Sequence, residues 1–289
     1  MAAVDLRPVS LGEVLDRTFT LYRSHFWLFV GIMALPQLIL LGVNLLQVGI
    51  VGLGRTTTPQ NPPVAIAPPG AGAILGVLLV FVVAAVGFLV VYVLAQAATV
   101  FAVSEIYLGR PASIRQAYGR VRGKVWRLIA LVLMIGLAVL AGFVLLIIPG
   151  ILVWLCTALA VPAAVLEDRT ARGALGRSVE LTKGNRGRIF LVWLLFFILQ
   201  WVALMVFAYP FVIAQAIFMK QGQPSQVLLV LSQAGSSLAA VLVGPLATIA
   251  FSLLYYDVRV RKEAFDLQVM MSSLGPATPP GIPPAVTGA

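Results

Sequence analysis

Residues 112–167 read ASIRQAYGRVRGKVWRLIALVLMIGLAVLAGFVLLIIPGILVWLCTALAVPAAVLE. Five cations, Arg115, Arg120, Arg122, Lys124 and Arg127, crowd the first part, and no further charge follows until Glu167. A helix of about 20 apolar residues crosses the roughly 30 Å hydrocarbon core of a bilayer. The stretch therefore predicts two apolar helices, 128–148 and 151–166, folded back at Pro149-Gly150, with Trp126 and Glu167 on the same side of a membrane. The second run is short and contains Pro162, so a full hairpin and a shallow re-entrant one are both open.

The same pattern holds outward in both directions. Further charge-free segments cover 26–53, 74–104, 189–218 and 227–256, giving six spans in an all-α, polytopic membrane bundle. Composition agrees: 61% of the 289 residues are apolar and 10% are charged, with a mean hydropathy of +1.02. A soluble domain carries about 25% charged residues, so most of this surface must face lipid. The first apolar run starts too late and runs too long for a cleaved signal peptide, and reads as a retained span. Residues 1–271 are expected to form one membrane domain, followed by a disordered, proline-rich tail over 272–289. The loop RTTTPQNPPVAIAPPGAG over 55–72 is expected to be extended.

Orientation follows from the basic residues, which favour the cytoplasmic side. With the N-terminus inside, that side holds Arg7, Arg17, Arg23, Arg110, Arg115, Arg120, Arg122, Lys124, Arg127, Arg169, Arg172, Arg177, Lys183, Arg186, Arg188, Arg259, Arg261 and Lys262. Only Arg55 and Lys220 remain for the other side. Both termini are thus expected in the cytoplasm of a multi-pass cell-membrane protein.

Three times a basic amphipathic segment runs into a pair of spans: LGEVLDRTFTLYRSHFW from Leu11, ASIRQAYGRVRGKVW from Ala112, and ARGALGRSVELTKGNRGRIF from Ala171. Each pair ends on an acid, Glu105, Glu167 or Asp257. This predicts three helix-plus-hairpin units, which duplication and shared membrane constraints explain equally well. Leu11, Val14, Leu15, Thr18, Phe19 and Tyr22 share one helical face, and Ser10 with Glu13 forms a capping box. Ile114, Ala117, Tyr118, Val121 and Val125 repeat the spacing, as do Ala171, Ala174, Leu175, Ser178, Val179 and Thr182. Such helices are expected to lie in the interface, with the apolar stripe in the acyl boundary and the cations at the phosphates.

The expected ligands are therefore anionic phospholipids, since each cation near an anionic leaflet gains about 1 kcal/mol. Candidate headgroup contacts are Arg17, Arg23, Arg120, Arg122, Lys124, Arg177, Lys183 and Arg188. The competing reading is that this belt only sets orientation. Nucleic acid is excluded as a partner, because the net charge of +10 is divided among four membrane-flanking patches. No cofactor or metal is expected: His25 is the only histidine and Cys156 the only cysteine, the former reading as an interfacial anchor and the latter as a core residue. No His–acid pair, nucleophile elbow or phosphate loop occurs, so no enzyme is expected.

All ten carboxylates fall outside the six segments, which argues against an ion-coupled carrier. Amides fall inside them: Gln37, Asn44, Gln47, Gln96, Gln200, Gln215 and Gln233. They serve as interhelical hydrogen-bond partners or line a polar cavity, and the second use keeps a transporter or lipid-translocating protein as the alternative. Ser236, Ala240 and Gly244 form a small-residue stripe suited to close helix packing.

Pro162, Val165, Glu167, Ala174, Leu175, Arg177, Ser178, Leu181, Lys183 and Gly184 spell P-x2-V-x-E-x6-AL-x-RS-x2-L-x-KG, and the last span closes with YYDVRVRKEAFDL. With the opening LGEVLDRTFTLYRSHF, this resembles the membrane domain attached to some bacterial glycerophosphodiester phosphodiesterases and its stand-alone relatives, across about Ser10 to Leu267. The chain lacks the paired acidic and histidine residues of their soluble barrel, so the resemblance does not carry the hydrolase activity over. It implies a bacterial cell membrane and some involvement in lipid or envelope metabolism; the inner-face arginines and interfacial helices are read as engaging anionic phospholipid, with the chain a scaffold for a protein partner.

Overall fold

The computed structural model describes residues 9–53, 71–220 and 225–263. The tail 272–289, the loop 55–72 up to residue 70, and Arg7 lie outside the described residues. The rest is helix and connecting turns, with no strand among the described residues. The order is α1 (Leu11–Ser24), α2 (Phe26–Leu53), α3 (Ala71–Tyr107), α4 (Ile114–Arg122), α5 (Val125–Leu145), α6 (Ile147–Thr157), α7 (Ala160–Leu166), α8 (Ala171–Thr182), α9 (Arg186–Phe207), α10 (Tyr209–Lys220) and α11 (Gln226–Glu263). Six stretches are long and apolar enough to cross a membrane: Phe26–Leu46, Val82–Tyr107, Val125–Leu145, Ile147–Leu166, Arg186–Phe207 and Gln226–Glu263.

These stretches divide into inner and outer helices. The first span of each pair, in α2, α5 and α9, has 22%, 17% and 22% of its apolar stretch buried, whereas the second span, in α3, α6–α7 and α11, has 44%, 44% and 56%. The second spans pack on one another, α3 against both α7 and α11 and α7 against α11. Small side chains permit this approach. Ala98, Ala160 and Ala250 stand seven residues before Glu105, Glu167 and Asp257 respectively, and all three are fully buried.

The short basic helices follow the same order. α4 packs on α3, α8 on α7, and α1 on α11, so the first described helix closes a ring onto the last described one. Each begins on a hydroxyl cap that accepts from the backbone N–H three residues on: Ser10 from Glu13 at 3.2 Å, Ser113 from Gln116 at 3.3 Å and Thr170 from Gly173 at 3.3 Å. Four and eight residues past each cap the side chains are buried: Val14 and Thr18, Ala117 and Val121, Ala174 and Ser178. In the spans that follow, Phe29 and Ile32, Leu128 and Leu131, and Ile189 and Val192 are buried at matching positions. The centres of the stripes of α1, α4 and α8 thus lie against protein, which corrects the expectation that the whole stripe faces acyl chains, while Phe19 and Ile114 at their edges stay exposed. Periodicity names the apolar face of a helix and leaves its partner open.

Three boundaries also differ from expectation, each through a proline. The turn after α5 falls at Leu146 rather than at Pro149-Gly150, and Pro149 sits in the first turn of α6, where its missing N–H removes no helical bond. There α5 and α6 touch at the backbone: a Cβ on Gly142 would come 2.9 Å from the Gly150 Cα. The run 151–166 breaks at Ala158 and Leu159, since Pro162 cannot donate to the carbonyl of Ala158. Ser178 of α8 stitches this break, accepting from Leu159 N at 3.2 Å and donating to Cys156 O at 2.6 Å.

The third boundary divides 189–218, which breaks at Ala208 just before Pro210. Here the Phe207 carbonyl abuts Gly235 of α11, where a Cβ would lie 1.9 Å from that oxygen. The close-packing face of α11 therefore carries Ser232, Gly235 and Ala239, all buried. Gly244 of the expected stripe meets nothing within 4 Å of a built Cβ. Pro36 leaves α2 continuous, because the Tyr118 hydroxyl of α4 donates at 2.7 Å to the Ile32 carbonyl that the proline cannot reach.

Candidate functional site

α1, α4, α8 and the charged ends of the inner helices gather at one end of the bundle, joined there by ion pairs. Two of the span-ending acids are hubs. Asp257, 3% exposed, accepts from Val9 N at 2.8 Å, from Arg188 at 2.8 Å and from Arg261 at 3.0 Å. Arg188 and Arg261 each also donate to the Val9 carbonyl at 2.7 Å, fixing the entry of α1. Glu167 accepts from Arg177 at 3.0 Å, Arg169 at 2.6 Å and Tyr255 at 2.5 Å, with Arg259 at 3.8 Å. Burial alone would push the Glu167 carboxyl up, but the bonds from Tyr255, Arg177 and Arg169 outweigh it and hold the group below its ordinary range. Glu105, the third acid, lies 3.7 Å from Arg110.

These hubs divide the eight candidate headgroup contacts into two sets. Arg17 pairs with Glu13 at 2.8 Å and reaches the Tyr107 hydroxyl at 3.3 Å. Arg177 is held by Glu167 and Glu263, and Arg188 by Asp257. Lys124 pairs with Asp168 at 2.8 Å, and Arg127 joins the same carboxylate. Hydrogen bonds from Lys124 and then Arg127 hold the Asp168 carboxyl down at about 2. Asp168 adopts φ 53°, a left-handed conformation that Asp tolerates better than most residues. Arg23, Arg120, Arg122 and Lys183 are exposed and have no carboxylate partner among the described residues.

Two of the cavities in the bundle bear on this arrangement. The first, about 230 Å³, opens at the basic end between α3, α4, α5 and α7. Arg120 and Lys124 stand on its wall with Ser104, Glu105 and Asp168, above an apolar floor that includes Phe101, Leu128 and Val165. The second, about 390 Å³, lies deeper, lined by the inner helices together with Val132, Ile135 and Trp193 of the outer ones. Among the described residues no group of three His, Cys, Asp or Glu side chains could hold a metal ion.

The amides of the spans are placed individually. Gln96 lines the deep cavity, and Asn44 donates to Gln233 at 3.4 Å across α2 and α11. Gln37 and Gln200 are half-buried, Gln215 is buried, and the side chain of Gln47 is outside the described residues. The i, i+4 spacing of Glu13 and Arg17 already pairs them in the sequence, whereas the acid partners of Arg177 and Arg188 do not follow from spacing along the chain. Their signal was present in the acid that ends each pair of spans.

Residues 132–258 match the family model of a domain of unknown function, DUF7847. The match begins inside α5 and ends at Val258 of α11, so it covers the α5–α6 hairpin from its first helix onward and nearly all of the third unit. No curated protein and no solved structure matches the chain.

Proposed function

We propose that this chain is a multi-pass cell-membrane protein that binds anionic phospholipid at its basic end, with that end and both termini in the cytoplasm. The observation that carries the reading is the division of the cations. Four are spent inside the fold on carboxylates, while Arg23, Arg120, Arg122 and Lys183 stand exposed at the same end without one among the described residues. A belt that served orientation alone would need no such division, and one of the four unpaired cations, Arg120, stands on the wall of a cavity. Arg120 lines a 230 Å³ recess beside Glu105 and the Lys124–Asp168 pair, over an apolar floor, which leaves Arg120 as the cation available to a phosphate with the start of its glycerol and chains below it. Arginine presents a planar fork of donors that matches phosphate oxygens.

The ring of α1 on α11, α4 on α3 and α8 on α7 supports descent from three copies of one helix-plus-hairpin unit. The resemblance to phosphodiesterase membrane domains is consistent with a lipid-related role in a bacterial membrane, without catalysis by this chain.

The test is native mass spectrometry after delipidation. The quadruple variant Arg23→Ala/Arg120→Ala/Arg122→Ala/Lys183→Ala should retain several-fold less added phosphatidylglycerol than the wild type, while retention of phosphatidylcholine stays the same. Equal retention of phosphatidylglycerol by both proteins removes the reading. An intact fold is expected in the variant, because none of the four side chains holds a carboxylate among the described residues.

A further inference from the structure

The deep cavity is a separate feature with different chemistry. Gln96, Ala158 and Thr248 each stand nine residues before the acid that ends their pair of spans, and all three line it. The cavity therefore sits where the three inner helices meet at one level. Nine residues of helix rise about 13 Å, and the hydrocarbon core is about 30 Å thick. That level is close to the middle of a bilayer.

Most of the wall is apolar, and among the described residues no Asp, Glu, Lys, Arg or His lines it. The polar groups are concentrated at one strip. Thr248 Oγ1 donates to Gln96 Oε1 at 2.6 Å, and Gln96 Nε2 donates to the Tyr92 hydroxyl at 2.8 Å. A primary amide has two N–H donors and a phenol has one O–H. This chain of bonds leaves one N–H of Gln96 and the hydrogen of Tyr92 to reach an acceptor. In hydrocarbon an unmet donor is costly, and the neighbouring wall supplies aromatic faces, with Trp154 and Trp193 packed edge-on at 4.9 Å. The volume of about 390 Å³ is that of a small-molecule site.

We propose that this cavity binds an uncharged lipophile through an oxygen acceptor, a carbonyl held by Gln96 and Tyr92 with its apolar body against Trp154, Trp193 and Phe251. The absence of charge from the lining excludes an ion or a phosphate at this depth, since a bare charge there would have no partner. An ordinary phospholipid keeps its ester carbonyls at the interface, about half a bilayer away. Two neutral classes bring a carbonyl to the midplane: a quinone on an isoprenoid tail, and a diacylglycerol. The shared chemistry is the uncharged carbonyl, and the experiment separates the two sources.

Purified full-length protein is reconstituted in phosphatidylcholine vesicles doped with one of three photoactivatable probes. They are a diazirine-bearing benzoquinone with an alkyl tail, a diacylglycerol with a mid-chain diazirine, and phosphatidylcholine carrying the same chain as the background. After irradiation, peptides of α3 and α11 around Gln96 and Thr248 are mapped. One neutral probe should label them above the phosphatidylcholine background, and which one does so identifies the source. Gln96→Leu should lower that labelling about five- to tenfold, the loss of one or two hydrogen bonds. Val132→Trp, which fills the cavity from α5 and leaves the Gln96–Thr248 pair in place, should abolish it. Labelling at background level by both neutral probes overturns the proposal, as does labelling that neither variant reduces. The phosphatidylglycerol retention measured for the basic end is expected to be unchanged in both variants, so the two proposals fail independently.

Discussion

Single hydroxyls decide whether the interrupted helices hold. Pro36 has no N–H for the Ile32 carbonyl, and the Tyr118 hydroxyl supplies the missing donor from another helix. Burial pushes the phenol of Tyr118 up to about 12, so it remains a donor at any physiological pH. Tyr118→Phe keeps the ring and removes the bond. A buried acceptor left without a partner costs about 1–3 kcal/mol, and a thermal-shift assay in detergent should show a correspondingly lower melting temperature, whereas a shift of zero would mean that water serves the carbonyl as well. Tyr22 of α1 donates at 2.9 Å to Leu242 O, the carbonyl next to that of Val241, which Pro245 leaves without its helical donor. Both tyrosines stood on expected apolar stripes; what periodicity hides is that their tips are polar and find carbonyls on helices distant in sequence.

Among the elements, the helix pairs meet backbone to backbone at glycine. Gly235 lets the Phe207 carbonyl, at the break between α9 and α10, lie against α11. Gly235→Val places a side chain on that oxygen and forces α9 outward. Overpacking of this kind costs about 1–3 kcal/mol, occasionally more, and the check is the fraction of monodisperse protein surviving a heat step, with wild-type behaviour counting against the contact. The existence of these elements was legible because each span carries a long run free of charge, with its charged residues gathered at the ends. Their breaks were less legible. Pro149 opens a helix, Pro162 and Pro210 break one, and Pro36 and Pro245 leave theirs unbroken. The difference lies in the first-turn position of Pro149 and, for Pro36, in the donor that a neighbour offers, which no local window contains.

Across the whole molecule, all three basic segments meet at one end. Cysteines introduced as Arg115→Cys and Arg172→Cys, each in a Cys156→Ala background, should react with a membrane-impermeant maleimide from the same side of sealed vesicles. Reaction from opposite sides would dismantle the topology. At this scale the positions of the candidate cations were readable in sequence, but their division into paired and unpaired sets was not. Glu167 and Arg177 lie close along the chain, whereas Arg188 and Asp257 are separated by a pair of spans. Helix packing selects these partners, and charge counting does not reach them.

The grip of Asp257 on Val9 carries a consequence for how the protein is made. A ribosome delivers α1 first and its dock, α11, last. Throughout synthesis Val14, Thr18 and Tyr22 lack their final neighbours, and the membrane surface is the available resting place for an amphipathic helix. Assembly thus ends with an early segment clasping a late one, and a chain interrupted before Asp257 would leave its opening helix without that dock.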